Sequence, residues 1–200
     1  MYGMDFSGKD VLLNKKPVYS TRDIVRVLDR QSIYVVQQGL VQRDDMNAIN
    51  ASSVNTLRVI TQVRDGKNVM PVCVMRMGRN NSYVDNSAQG GLSVEIDTAT
   101  GAFAQSAYAE HGTPVGKKYD SHPDSGVVFA GKSIEGWGDI KEQILSAAGK
   151  LPGLSDIAWD IAITGGGGIS VVEINSGYGI DHLQCVCGGM RKRLGVFPGK

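Results

Sequence analysis

Residues 54–63, VNTLRVITQV, alternate in character, with Leu57, Val59, Thr61 and Val63 on one face and Thr56, Arg58 and Ile60 on the other. A period of two predicts a strand. The Arg64-Asp65-Gly66-Lys67 stretch that follows is a hairpin signal. VMPVCVMRM (69–77) predicts the returning strand, and Pro71 places its start near an edge or a bulge, because proline has no N–H for the ladder. Strands over 92–97 and 102–108 flank Thr98-Ala99-Thr100-Gly101 as another hairpin. Strands over 157–164 and 169–175 are joined by Gly165-Gly166-Gly167-Gly168 as a third.

Helical spacing marks the rest. Ser20-Thr21-Arg22-Asp23 resembles a capping box, contributing about 1 kcal/mol. Ile24, Val25, Val27 and Leu28 give that helix its apolar face as far as Arg30, and the short β-rich run IYVVQQ (33–38) follows it. A second helix fits 44–51, with Met46 and Ile49 three apart. The third, Trp137–Gly149, carries Trp137, Ile140, Ile144, Leu145 and Ala148 on one stripe and stops at Gly149. Asp181 is expected to cap a last helix that ends at Gly188-Gly189. Hairpins outnumber βαβ units, so the fold class is α+β, with a mostly antiparallel sheet flanked by helices.

Charge narrows the function. Lys plus Arg (21) nearly cancel Asp plus Glu (20), and a net charge of +1 gives no field that would collect nucleic acid or an acidic membrane surface. The cluster Arg191-Lys192-Arg193 is read as complementing the carbonyls that end the last helix. Cys73 sits in an apolar run and reads as a core residue, while Cys185-x-Cys187 lacks the spacing of zinc or thioredoxin-like motifs. No apolar run reaches the roughly 18 residues of a membrane span, and residues 1–10 lack a signal-peptide core. A cytoplasmic protein without a membrane span is expected.

The third hairpin holds the candidate chemistry. Period two puts Val171, Glu173 and Asn175 on one face and sends Val172 and Ile174 into apolar packing. Across the turn, Asp160 and Ala162 share a face. If the strands pair, Asp160 and Glu173 become cross-strand neighbours, and like charges so placed repel. A hard divalent cation seeking oxygen ligands relieves that repulsion, and Asp160, Glu173 and the carbonyl oxygen of Asn175 suit Mg²⁺. Spacing alone fits a solvated hairpin face equally well. Gly165 to Gly168 does not match the phosphate-loop pattern, and His111, His122 and His182 are too dispersed for a zinc triad. His122-Pro123 reads as a turn.

SVNTLRVIT (53–61), the stretch from Arg76 through VDNSAQGG (84–91), SHPDSG (121–126) and WDIAITGGGGISVVEIN (159–175) together resemble the sugar-transfer-associated family of the ATP-grasp superfamily. The last of these is similar to the superfamily's metal-binding hairpin. The resemblance implies that residues 42–200 form the C-terminal nucleotide- and Mg²⁺-binding subdomain, and residues 1–41 a remnant of the N-terminal subdomain with the adenine hinge. It implies that Asp160, Glu173 and Asn175 hold the metal. YVVQQGLV (34–41) resembles the hinge strand, making Gln37, Gln38 and Leu40 the contacts to the base. Arg58 is placed near the phosphates or an acyl-phosphate, with Arg76 as a second candidate and Asn55 as a neighbour; by residue type alone Arg58 also fits a surface ion pair. Asp85 to Gly91 resembles the loop over the reaction centre, where Asn86, Gln89, Gly90 and Gly91 would approach substrate; as a bare motif it also fits a simple turn.

The implied activity is that of an ATP-dependent ligase. A small-molecule carboxylate would be converted to an acyl-phosphate and then attacked by an amine or other nucleophile, in cell-surface polysaccharide or peptide modification. ATP and Mg²⁺ are the implied cofactors. The only lysines before the hinge region, Lys9, Lys15 and Lys16, do not match the family's phosphate-binding pattern, so a fragment or degenerate member is also expected. Two alternatives remain at this point: a non-catalytic or truncated ATP-binding module, and an ATP-grasp kinase acting on a hydroxyl.

Overall fold

The computed structural model describes residues 4–5, 11–13, 16–18, 39–85, 90–109 and 116–195. Two compact units divide the chain, residues 1–40 and 41–200. In the first, β1 (Met4–Asp5), β2 (Val11–Leu13) and β3 (Lys16–Val18) form a three-stranded antiparallel sheet in that order. The helix expected over 20–30 and the strand over 33–38 lie outside the described residues.

The second unit is built on an antiparallel sheet of β4 (Thr56–Arg64), β5 (Lys67–Met77), β6 (Leu92–Ile96), β7 (Phe103–Ala109), β8 (Lys117–Tyr119), β9 (Asp156–Ile163) and β10 (Ile169–Asn175). Their order is β10-β9-β4-β5-β6-β7-β8. Helices α1 (Asp44–Ile49), α2 (Trp137–Gly149) and α3 (Asp181–Cys187) flank it, so the architecture is α+β. The first hairpin turns at Asp65 and Gly66, both with positive φ (49° and 72°), the geometry that matches the twist of paired strands. Pro71 occupies a register shift between the Ile60–Val72 and Gln62–Val69 pairs, so an inner strand accommodates a residue with no N–H to donate.

Both faces of the central strands are covered. One face carries Leu57, Val59, Met75, Trp159 and Ile161 against Met46 and Ile49 of α1 and Trp137, Ile140, Ile144 and Ala148 of α2. On the opposite face Ile60, Val72, Val74 and Ala158 pack under Leu183 of α3 and Met190 and Leu194 beyond it. That second cover explains why Ile60, alternating with Leu57 and Val59 in the wrong phase for one apolar face, is fully buried. It reaches only part of its face, and the uncovered part is polar.

Two local expectations need correction. Asp181 is the first residue of α3 and Ile180 its cap, with no side-chain capping bond; the carboxylate instead sits in the first turn, where it complements the helix dipole. The basic cluster does not serve the end of α3, whose last turn contains no basic residue. Arg193 forms an ion pair with Glu95 of β6, and Arg64 donates to the Arg193 carbonyl. These contacts tie the segment after α3 to the sheet. Cys73, Cys185 and Cys187 take part in no disulfide. Cys73 is fully buried, and burial followed by the charge of Glu95 pushes the Cys187 thiol up to about 12. Among the described residues no helix is long and apolar enough to cross a membrane.

Gly101 closes the second hairpin with φ 76°, and a Cβ there would meet Trp137 Cγ at 2.5 Å. Gly101→Ala is therefore expected to lower stability by about 1–3 kcal/mol through overpacking, beyond the backbone penalty of about 1–2 kcal/mol for left-handed geometry. Gly126, with φ 73° and nothing within 4 Å of its added Cβ, should show the backbone penalty alone. Thermal unfolding of the two variants measures the difference, and equal losses would remove the Gly101–Trp137 contact as the cause.

Candidate functional site

The polar part of the second face is laid out in rows across the strands. One row runs Ala162, Thr56, Arg76, Ser93 and Tyr108. The next runs Glu173, Asp160, Arg58 and Val74, and the one beyond it places Asn175 beside Ala158 and Ile60. Glu173 is thus the direct cross-strand neighbour of Asp160, with Asn175 one step along the same face.

Regular alternation does not produce this arrangement. Ile169, Ser170 and Val171 pair with Ile163, Ala162 and Ile161, whereas Glu173, Ile174 and Asn175 pair with Asp160, Trp159 and Ala158, and the register shifts between Val171 and Glu173. Val172 is the extra residue of a bulge. Had the first register continued, Glu173 would oppose Trp159 and point to the main core; one inserted residue exchanges the faces. The expectation that Val171 shares a face with Glu173 is therefore wrong, since Val171 opposes Ile161. So is the expected packing of Val172 and Ile174: they are 53% and 42% exposed, because β10 stands at the end of the strand order.

Charge concentrates around Asp160. Its Oδ2 lies 2.9 Å from Arg76 Nη2 and its Oδ1 2.9 Å from Arg58 Nε. The Arg58 contact is a close ion pair without hydrogen-bond alignment, so Asp160 Oδ1 and Arg58 Nε are buried atoms with no hydrogen-bond partner. Burial raises the Asp160 carboxyl, against which Arg76 and Arg58 both act. Burial likewise lowers the Arg58 guanidinium; Asp160, Glu173 and Asp85 oppose this, and Arg76 adds to it. From the row above, Thr56 Oγ1 accepts from Arg76 Nε and Nη2 at 3.1 and 3.0 Å. Thr56 also donates its hydroxyl to Asp85 Oδ2 and its backbone N–H to the same oxygen at 3.1 Å. Three carboxylates and two guanidiniums therefore share one end of one sheet face.

Other expected residues are distributed differently. Asn55 is buried on the opposite side, its amide donating to the Met46 and Asn50 carbonyls and its N–H to Gln42. It ties the end of α1 to the sheet and does not meet Arg58. Leu40 is partly exposed at the end of the first unit. Gly90 has φ 89° and its carbonyl accepts from Arg79, and Gly91 is buried just before β6. Gln37, Gln38, Asn86 and Gln89 lie outside the described residues. His122 is buried; Nδ1 accepts from Asp124 N–H, so Nε2 carries the proton and donates to the Gly78 carbonyl at 2.8 Å. Sequence reasoning assigned no role to Thr56 or Asp85. Thr56 shares the Arg58 face in the alternation and Asp85 opens the DNSAQGG motif, which were the available signals.

The donor chemistry suits a hard divalent cation. A buried carboxylate oxygen without a hydrogen bond, an exposed carboxylate opposite it and an amide one step away are the oxygen set such an ion takes, alongside phosphates. Among the described residues no group of three or more His, Cys, Asp or Glu gathers around a metal position, so two carboxylates are the maximum here, and Mg²⁺ accepts one or two. The adjacent guanidiniums offer forked donors to anionic oxygens. A family model described as sugar-transfer associated ATP-grasp matches residues 20–196. No curated protein and no solved structure matches the chain.

Removing the shared anion should be expensive. Asp160→Ala leaves Arg58 and Arg76 without their partner in a site where the side chains are 4%, 13% and 12% exposed, and a loss of about 3–5 kcal/mol is expected. Exposed Glu173→Gln should stay within about 0.5 kcal/mol of the unaltered chain. Urea denaturation of both variants provides the comparison; similar small losses would show that Asp160 does not hold the two guanidiniums.

Proposed function

The chain belongs to the sugar-transfer associated ATP-grasp family, and from that premise we propose that it is an ATP-dependent ligase that activates a small-molecule carboxylate. ATP-grasp proteins share a ligase-like, nucleotide-binding fold and generally bind ATP with Mg²⁺. The observation that carries the proposal is the apposition of Glu173 and Asp160 across β9 and β10, with Arg58 and Arg76 on the Asp160 carboxylate.

In this reading Asp160, Glu173 and the Asn175 amide oxygen would hold Mg²⁺, which would neutralise charge on the nucleotide phosphates. Arg58 and Arg76 are partnered with Asp160. An anionic phosphate would give their remaining donors a further partner at the same place. Arg58, already placed between Asp160 and the core, then stabilises charge on the transferring phosphoryl group. A substrate carboxylate attacks the γ-phosphorus of ATP and ADP leaves; an amine or other nucleophile then attacks the acyl carbon of the acyl-phosphate and displaces inorganic phosphate. Most of the catalytic work is positioning and electrostatics, which agrees with a site built from fixed charges.

The rest of the assignment follows the same reading. Residues 1–41 supply part of the N-terminal subdomain and the adenine hinge, with Gln37, Gln38 and Leu40 against the base. Asn86, Gly90 and Gly91 belong to the loop beside the substrate. A role in cell-surface polysaccharide or peptide modification, carried out in the cytoplasm, fits a family associated with sugar transfer.

Glu173→Gln tests the cation site without disturbing the ion pairs at Asp160. Calorimetric titration should show MgATP affinity lowered at least about tenfold with the unfolding midpoint unchanged; undiminished affinity would take Glu173 out of the site. Incubation with MgATP, candidate carboxylates and hydroxylamine should yield a hydroxamate, the trapped form of an acyl-phosphate. Transfer of the phosphoryl group to a hydroxyl, with no hydroxamate, would make the protein a kinase.

A further inference from the structure

We infer that Thr56 and Asp85 are positioning residues, a relay that aims Arg76 and through it sets the orientation of the Asp160 carboxylate. This rests on the proposed role of Asp160 as a cation ligand. Arg76 could reach several oxygens from its place on β5, and the structure shows what selects one. Its Nε and Nη2 both rest on Thr56 Oγ1, at 3.1 and 3.0 Å, and the same Nη2 lies 2.9 Å from Asp160 Oδ2.

The Thr56 hydroxyl can accept from Arg76 only with its own proton directed elsewhere, and that proton goes to Asp85 Oδ2. Asp85 Oδ2 also takes the Thr56 backbone N–H at 3.1 Å and lies 3.8 Å from Arg76 Nε. Donor and acceptor roles thus run one way, from Arg76 to the threonine oxygen and from the threonine proton to Asp85. A hydroxyl has one donor and two acceptor positions, and here each is matched to a partner that needs it.

Local geometry makes the relay stiff. Thr56 is β-branched with a restricted χ1, is 5% exposed, and stands directly opposite Arg76 in the β4–β5 register. The Asp85 side chain is 13% exposed, and it comes from a loop 29 residues later in the chain. A buried carboxylate placed against one hydroxyl and one backbone N–H is costly unless it is fully used. Its use here is to fix the hydroxyl proton and to add a second negative charge beside Arg76. Without it the hydroxyl can rotate, Arg76 loses its seat, and Asp160 Oδ2 loses its fixed donor. Residues behind metal ligands act in this manner, and their removal typically weakens metal affinity about 10–100-fold.

The test is the Mg²⁺ dependence of ATP binding, measured by calorimetry on the full chain at a series of Mg²⁺ concentrations. Thermal melting of each ligand-free variant establishes that it is folded. Thr56→Val keeps the shape and removes the relay; it should raise the Mg²⁺ concentration for half-maximal ATP binding about tenfold or more. Thr56→Ser keeps the hydroxyl and should recover most of that loss. Asp85→Asn, which keeps the size and removes the charge, should shift the dependence in the same direction as Thr56→Val. If Thr56→Val or Asp85→Asn shows the unaltered Mg²⁺ dependence, the relay is refuted while the ligase proposal stands. If Thr56→Ser is as impaired as Thr56→Val, packing and not the hydroxyl is responsible, which also overturns it. An unaltered chain that binds no MgATP would remove the underlying reading, and the relay's role with it.

Discussion

Seven residues of β10 cannot keep one register against β9 and still bring Glu173 beside Asp160. The bulge at Val172 resolves the conflict: before it, Val171 opposes Ile161 on the core face, and after it Glu173 opposes Asp160 on the polar face. Because side chains change face with every residue, one unpaired position is enough to move an entire half-strand. Both demands on this hairpin are met in consequence. Its first half continues the main core, where Ile169 packs, and its second half carries an acid and an amide to a polar site. Among the described residues β10 ends the strand order, and a bulge in such a strand interrupts the edge that otherwise invites further strands.

The sheet pays for this concentration of charge through mutual compensation. Asp160 is raised by burial and held by two guanidiniums, and Arg58 is lowered by burial and held by the charges of Asp160, Glu173 and Asp85. Ion pairs of this kind contribute little net stability compared with apolar packing of the same volume, so the cluster is not explained by the needs of the fold. The cover formed by α3, Met190 and Leu194 takes in Ile60, Val72, Val74 and Ala158, and the charged residues stand beside it, in the rows of Arg58 and Arg76. Partly buried groups with opposed electrostatic influences, on the open part of an otherwise packed face, are where chemistry is sought.

Most of the sheet was legible in sequence because hairpins are specified locally. Asp65-Gly66 adopts the turn that its residue types demand, and α2 runs from Trp137 to Gly149 with Trp137, Ile140, Ile144 and Ala148 buried as their spacing indicates. Two features were hidden for a physical reason. Strict period two gives the wrong partner for Val171 and cannot signal a bulge, since nothing in ISVVEIN distinguishes the extra residue from its neighbours. Nor does alternation reveal that Asn55 is committed to the carbonyls of Met46 and Asn50, because a buried amide is placed by long-range packing. Thr56 and Asp85 were invisible as a pair, as they are distant in sequence and meet only when β4 and the loop after β5 are folded together.

One consequence of the charge arrangement concerns the order in which ligands can bind. A free cation approaching Asp160 meets two guanidiniums that already occupy the carboxylate, so its attraction to Asp160 and Glu173 is offset by repulsion from Arg58 and Arg76. A free anion meets the opposite obstacle, since drawing the guanidiniums away exposes Asp160, Asp85 and Glu173 to one another. A cation already paired with phosphates would lower both obstacles at once: its phosphates would offer the guanidiniums a further anionic partner, and the cation would offer Asp160 and Glu173 a counter-charge. Each charge would then keep a counter-charge, which is the condition for holding ionised groups in a site of low dielectric. Under the proposed function, the arrangement therefore favours a metal–nucleotide complex over either component alone.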